Sequence, residues 1–257
     1  MNLETIELTK ENKIAVIKLN RPKLLNAVNE QLVWDLQKAT EDVKNDDAIR
    51  VVILTGSGRG FSAGADLSER KASWKGSKDA LMRGYKPFFE NIINMPKPVI
   101  GSISGPAAGI GAAIAMSCDL RVMSEDSYIL SVFSNIALVP DGGLSWYLPK
   151  YMGYSKAYEY AIEAKKIKAQ DCLKYGIANK VVPIAELESK TFEWAEKLAK
   201  RSSQSLSHTK RLMRDSLHVN YWDTFHSEAE IQNELTTSSQ NREAVKAFLE
   251  KREPNFD

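Results

Sequence analysis

The chain has 257 residues, 43% of them apolar and 26% charged, with 35 Lys and Arg set against 33 Asp and Glu. That length suits one large domain, or a core with a small appendage, and the balance is ordinary for a globular protein. A net charge of +2 with basic residues scattered along the chain gives no case for nucleic-acid binding, and Cys118 and Cys172 form no metal-ligand spacing.

Residues 6–19 read as two strands around a polar turn at 9–13. Asn29 is expected to cap a helix, because Leu32, Val33, Leu36, Ala39 and Val43 follow at helical spacing. The apolar run 51–55 has the mark of a strand covered on both faces, and Gly56, Gly58 and Gly60 break it. Residues 61–67 form a second Gly/Ala turn, and the polar stretch 71–78 is expected to be mobile. A helix is predicted over 81–93, ended by Pro96 and Pro98. Residues 98–118 carry no charge and are long enough to span a bilayer. Their glycines and Pro106 suit a strand, a loop and a buried helix instead, so no membrane span is expected. Short strands follow at 120–123 and 128–130, and from Ser155 onward helices dominate around a strand-like stretch at 180–183. The pattern predicts an α/β core over residues 1–195 and a helical region over 196–257. The N-terminus lacks a signal-peptide pattern and the C-terminus is no peroxisomal address, so a cytoplasmic protein is the simplest reading.

Two short stretches carry chemistry. Gly105-Pro-Ala-Ala-Gly109-Ile-Gly111 at a helix start can present backbone N–H groups to a developing negative charge. Taken alone, such a Gly-x-Gly is more often a tight turn with close helix packing. Val139-Pro-Asp141-Gly-Gly143 supplies one carboxylate, which can also be read as a turn residue bonding its own backbone.

Four stretches together resemble the crotonase superfamily, the enoyl-CoA hydratase/isomerase family. They are Asn20-Arg-Pro-Lys-Leu-Leu-Asn-Ala27, Gly60-Phe-Ser-Ala-Gly-Ala-Asp66-Leu67, Lys97-Pro-Val-Ile followed by the glycine loop and Cys118-Asp119, and Phe248-Leu-Glu-Lys-Arg-Glu-Pro-Asn-Phe256. The resemblance implies an α/β crotonase-type spiral of ββα units with a C-terminal helical extension that forms a homotrimer or hexamer. It implies a coenzyme A thioester as substrate and no metal or redox cofactor. Matched residue by residue, it gives the oxyanion donors as the N–H groups of Ala65 and Ile110. Lys23, Leu25, Ala63, Asp66 and Leu67 are implied around coenzyme A, with Lys251 reaching a phosphate across a subunit boundary.

The chain departs from the family's hydratases where their two glutamates stand: the matched positions are Ala113 and Phe133. Asp141 instead matches the acidic residue of the family's enoyl-CoA isomerases and of the phenylacetate-pathway ring isomerase. The implied reaction is a double-bond shift from 3-enoyl-CoA to 2-enoyl-CoA, with Asp141 as the single acid/base. Phe133, Ile136 and Leu138 are expected to raise its pKa, and residues 71–86 to border the acyl pocket. A 2-enoyl-CoA hydratase and a catalytically silent acyl-CoA binder are the alternatives. The family's dehalogenases also use a histidine and a tryptophan, but here Phe133 holds the tryptophan position. His208, His218 and His226 all fall in the C-terminal helices and are read as surface or interface residues. Asp119 is expected to pair with Arg121 or backbone.

Overall fold

Asn12 and Lys13 both take positive φ, 51° and 67°, and so turn strand β1 (Ile6–Glu11) directly back onto β2 (Ile14–Leu19). Such a two-residue turn matches the twist of the strands it joins. The polar turn expected over 9–13 is therefore tighter than the sequence suggested. The computed structural model describes residues 2–69 and 73–256. Among them β2 continues into a parallel array of β3 (Val51–Gly56), β4 (Val99–Ile103), β6 (Leu120–Ser124) and β9 (Lys180–Val182), in the order β1-β2-β3-β4-β6-β9. A smaller sheet joins β5 (Pro106–Ala108), β7 (Tyr128–Leu130) and β8 (Lys166–Lys168). The Lys-Ile-Lys of β8 is too short and too polar to announce itself as a strand.

The large sheet is covered on both faces. Val52 and Leu54 of β3 point into the main core beside α1 (Glu30–Asn45), whereas Val51 and Ile53 meet Leu187 and Ala195 of α8 (Leu187–Ala199) on the other side. Alternation of side chains along a strand thus turns two buried faces into one continuous apolar run. Asn29 caps α1 as expected, its side-chain oxygen accepting the Leu32 N–H at 3.1 Å. The uncharged stretch becomes β4, β5 and α4 (Ile110–Ser117), whose residues are all buried. No helix among the described residues is long and apolar enough to cross a membrane.

The helix expected over 81–93 is not regular. A short α2 (Ser77–Asp79) runs into a wide π-helical turn, Ala80–Tyr85, and only then into α3 (Lys86–Asn94). Pro87 explains this, because proline has no N–H for the carbonyl one α-turn back, and its ring crowds that carbonyl. The Gln37 amide of α1 donates to the carbonyls of Arg83, at 3.2 Å, and Gly84, at 2.6 Å. The stretch 71–78, expected to be mobile, makes specific contacts where it is described. Ser73 bonds Glu30, and Trp74 lies 5.2 Å from Trp34 with the Arg83 guanidinium over both rings. Lys71 and Ala72 lie outside the described residues.

After β7 the chain forms α5 (Leu144–Met152), α6 (Tyr154–Ile162) and α7 (Ala169–Lys174). Beyond α8 come α9 (Ser203–Asp215), α10 (Tyr221–Thr236) and α11 (Ser239–Glu250), which leave Tyr221, Trp222, Phe225 and Phe248 exposed. Asp119 fastens α9 to the core, meeting Lys210 at 2.8 Å and Arg214 at 2.7 Å. Its expected side-chain partner was Arg121, but that guanidinium is buried among backbone carbonyls, including that of Cys118 at 2.6 Å. The carboxylate does also accept the Val99 N–H, at 2.8 Å.

Candidate active site

The site begins where two loops are stitched together. Val28 donates to the Gly64 carbonyl at 2.7 Å and accepts from the Asp66 N–H at 2.9 Å. In this parallel pairing the residue between those two, Ala65, turns its own N–H away from Val28. Ser62 bonds the next loop in the same manner, donating to Pro106 and accepting from Ala108. Gly109 precedes α4 at φ 52°, and a Cβ built on it would lie 3.7 Å from the Gly64 Cα, so the two loops touch there. Ile110 is the first residue of α4, where a helix leaves its N–H groups without internal acceptors. Among the described residues neither the Ala65 N–H nor the Ile110 N–H has an acceptor.

Asp141 is held over the start of the same helix. Its neighbour Gly142 takes φ 59°, and a Cβ there would stand 2.5 Å from the Ala113 Cβ, 2.8 Å from Ile110 and 3.2 Å from Phe89. A small residue at 113 is what lets this turn settle. The Asp141 carbonyl accepts the Leu144 N–H at 3.1 Å, but its carboxylate makes no turn bond: Oδ1 is buried with no hydrogen-bond partner. Burial raises its pKa from 3.8 to about 6. The direction agrees with the sequence. Of the expected apolar neighbours, Ile136 and Leu138 are 44% and 55% exposed, and the adjacent Gly142 packs against Ile110, Ala113 and Phe89. Phe133 is buried and faces Gly109.

The residues implied around coenzyme A gather on one loop cluster. Ala63 donates to the Leu25 carbonyl at 2.8 Å, Lys23 is exposed in the preceding turn, and Leu67 is 74% exposed. The Asp66 carboxylate is engaged locally. Ser68 at 2.6 Å, and then Arg21 at 2.9 Å, hold its pKa below the ordinary value against partial burial. Lys251 ends α11 as an exposed left-handed cap, and no contact among the described residues joins it to that cluster.

Next to Gly142 opens a cavity of about 430 Å³ between α3, α5 and the end of α9. Leu81, Met82 and Tyr85 of the wide turn form one wall, Phe89 and Ile93 continue it, and Trp146 and Tyr147 stand opposite. Tyr85 is pushed up to about 12 by burial and then by the charges of Asp141 and Glu69, so it stays a phenol at neutral pH. Arg214 and His218 also border it, the His218 ring stacking on Trp146 at 5.6 Å. His218 thus lines the cavity while staying exposed, the surface position expected of it. The sequence reading also missed Arg214. Its signal was faint: Lys210 and Arg214, one helical turn apart, present two cations on one face.

A family model described as enoyl-CoA hydratase/isomerase matches residues 9–257. The chain belongs to the enoyl-CoA hydratase/isomerase family. It is 33% identical to a probable enoyl-CoA hydratase of Rhodobacter capsulatus, covering 100% of this chain and 99% of that protein. It is also 33% identical to the 1,2-epoxyphenylacetyl-CoA isomerase of Escherichia coli, covering 96% and 95% of the two chains. The crystal structure of an enoyl-CoA hydratase from Bacillus anthracis superposes with a TM-score of 0.92 at 29% identity, covering 98% of each chain. The fold is thus the α/β crotonase spiral that the sequence resembled. Its relatives carry both reaction names. Among the described residues no group of three or more His, Cys, Asp or Glu could hold a metal ion.

Proposed function

We propose that the protein isomerises 3-enoyl-CoA to 2-enoyl-CoA thioesters with Asp141 as the single acid/base. The observation that carries this reading is the Asp141 carboxylate, buried at Oδ1, without a partner there, and raised to about 6. A base near that value is largely ionised at neutral pH and can return the proton it takes. It removes a C2 proton from the 3-enoyl thioester, the Ala65 and Ile110 N–H groups hold the dienolate oxygen, and Asp141 delivers the proton to C4. One fixed donor of this kind is typically worth about 2.7–4 kcal/mol in the transition state.

Hydration is the second reading, because relatives bear that name. It needs a water activated for attack at C3, and the positions matched to the hydratase glutamates are the hydrocarbon side chains of Ala113 and Phe133, both buried. Lys23, Leu25, Ala63 and Leu67 would border coenzyme A, with Asp66 shaping their loop and Lys251 reaching a phosphate from a neighbouring subunit. We extend the proposal to a trimer or hexamer in the cytoplasm, supported by the exposed aromatic faces of α10 and α11. The reaction as proposed calls for no metal or redox cofactor. Product analysis tests it: 3-enoyl-CoA should give 2-enoyl-CoA, and 2-enoyl-CoA should not give 3-hydroxyacyl-CoA. Rapid hydration with no isomerisation would make the second reading the correct one, and binding without turnover would leave an acyl-CoA binder.

A further inference from the structure

The cavity beside Asp141 is mostly apolar in its lining but includes the guanidinium-bearing Arg214. Leu81, Phe89 and Ile93 give it the walls of a hydrocarbon pocket, yet Arg214 and His218 border it, and among the described residues no Asp or Glu lines it. Lys86 also borders the cavity, but its ammonium is answered by Glu90 at 2.8 Å, a residue outside the lining.

Arg214 is not fully answered. Asp119 is shared between two cations, meeting Arg214 at 2.7 Å and Lys210 at 2.8 Å, so the trio keeps one positive charge. Lys210 is saturated, because its other donors reach the carbonyls of Ile92 at 3.0 Å and Lys97 at 3.1 Å. Arg214 uses Nη2 for Asp119 and for the Ser117 carbonyl at 3.0 Å, and it also meets the Tyr147 side chain. A guanidinium has five N–H donors in a planar fork. Among the described residues no further acceptor meets Arg214. A methyl-ended chain packed against Arg214 would leave those donors without a partner, which is unfavourable wherever the chain excludes water. A carboxylate satisfies both charge and geometry.

We propose that the acyl group this protein takes ends in a carboxylate, bound by Arg214 with His218 beside it, so that the substrate is an ω-carboxyacyl thioester of coenzyme A. The proposal rests on reading this cavity as the acyl pocket of the isomerase, and its test does not depend on turnover. Adipyl-CoA and suberyl-CoA are titrated against hexanoyl-CoA and octanoyl-CoA by calorimetry, at two salt concentrations. At one chain length or both, the carboxyl-ended ligand should bind about tenfold more tightly or better, and salt should narrow the gap. The affinity ratio should fall close to one in Arg214→Gln and be largely restored in Arg214→Lys. Equal affinities, or tighter binding of the methyl-ended ligands, in the unaltered protein would overturn the proposal without any variant. An Arg214→Gln protein that weakens both ligand types equally would also overturn it, by reducing Arg214 to a clamp on α9. Preference without isomerisation of any 3-enoyl-CoA would sink the isomerase reading alone. Isomerisation without preference would sink this one alone.

Discussion

Asp141→Asn removes a negative charge that the folded chain holds in an apolar turn, and its effect on stability should depend on pH. The carboxyl's pKa is raised from 3.8 to about 6 by burial. That gap corresponds to about 3 kcal/mol between the two protonation states. Solvent reaching a partly open turn screens the difference, leaving about 1–2 kcal/mol. Because the folded value is the higher one, the stabilising contribution is complete below about pH 3.8 and is lost as pH rises through about 6. The Asn variant has no such titration. Relative to the parent it should gain nothing near pH 4 and about 1–2 kcal/mol at pH 8. For a chain of this length that gain is worth roughly 2–8 °C in melting temperature. Differential scanning calorimetry of both proteins at matched concentration, across that pH range, reads the difference directly. A gap that does not change with pH, or one that grows towards acid, would refute the argument that Asp141 is a carboxylate kept charged at a cost.

Two further substitutions probe how the site is held. Gly142→Ala puts a Cβ 2.5 Å from that of Ala113 at φ 59°, and should lower stability by about 1–3 kcal/mol in a denaturant melt. Displacing Asp141 by even about 1 Å should reduce isomerase kcat/KM by about a hundredfold. Gln37→Ala leaves the carbonyls of Arg83 and Gly84 without their donor. It should cost about 0.5–1.5 kcal/mol and raise KM more than it lowers kcat, because it loosens a pocket wall and not the carboxylate.

The core was legible wherever periodicity was strong. The apolar run of β3, the Asn29 cap and the buried strand and helix within 98–118 took the predicted form, since each expresses local pattern and burial together, while the loop expected between the last two holds the short strand β5. The wide turn before α3 was not legible as such. Pro87 announced a disturbance, but the acceptor problem was resolved by Gln37, which lies far away in sequence. The environment of Asp141 followed the same rule. Its isolation could be anticipated from Ala113 and Phe133, but the residues beneath it could not, because Gly142 meets Ile110, Ala113 and Phe89 only through the fold. Arg214 and His218 were hidden for a plainer reason. Nothing in the sequence at the end of α9 and just beyond it says which cavity these two residues will border.

The central claim is that one carboxylate carries the proton. The most direct measurement is kcat/KM for isomerisation of 3-enoyl-CoA by the parent and by Asp141→Asn, followed from pH 5 to pH 8. The parent should rise through a single ionisation near the folded value of about 6 and then level off. The variant should be about 10²–10⁴-fold slower and lack that ionisation. A variant that isomerises as fast as the parent, or keeps the same pH profile, would contradict the account.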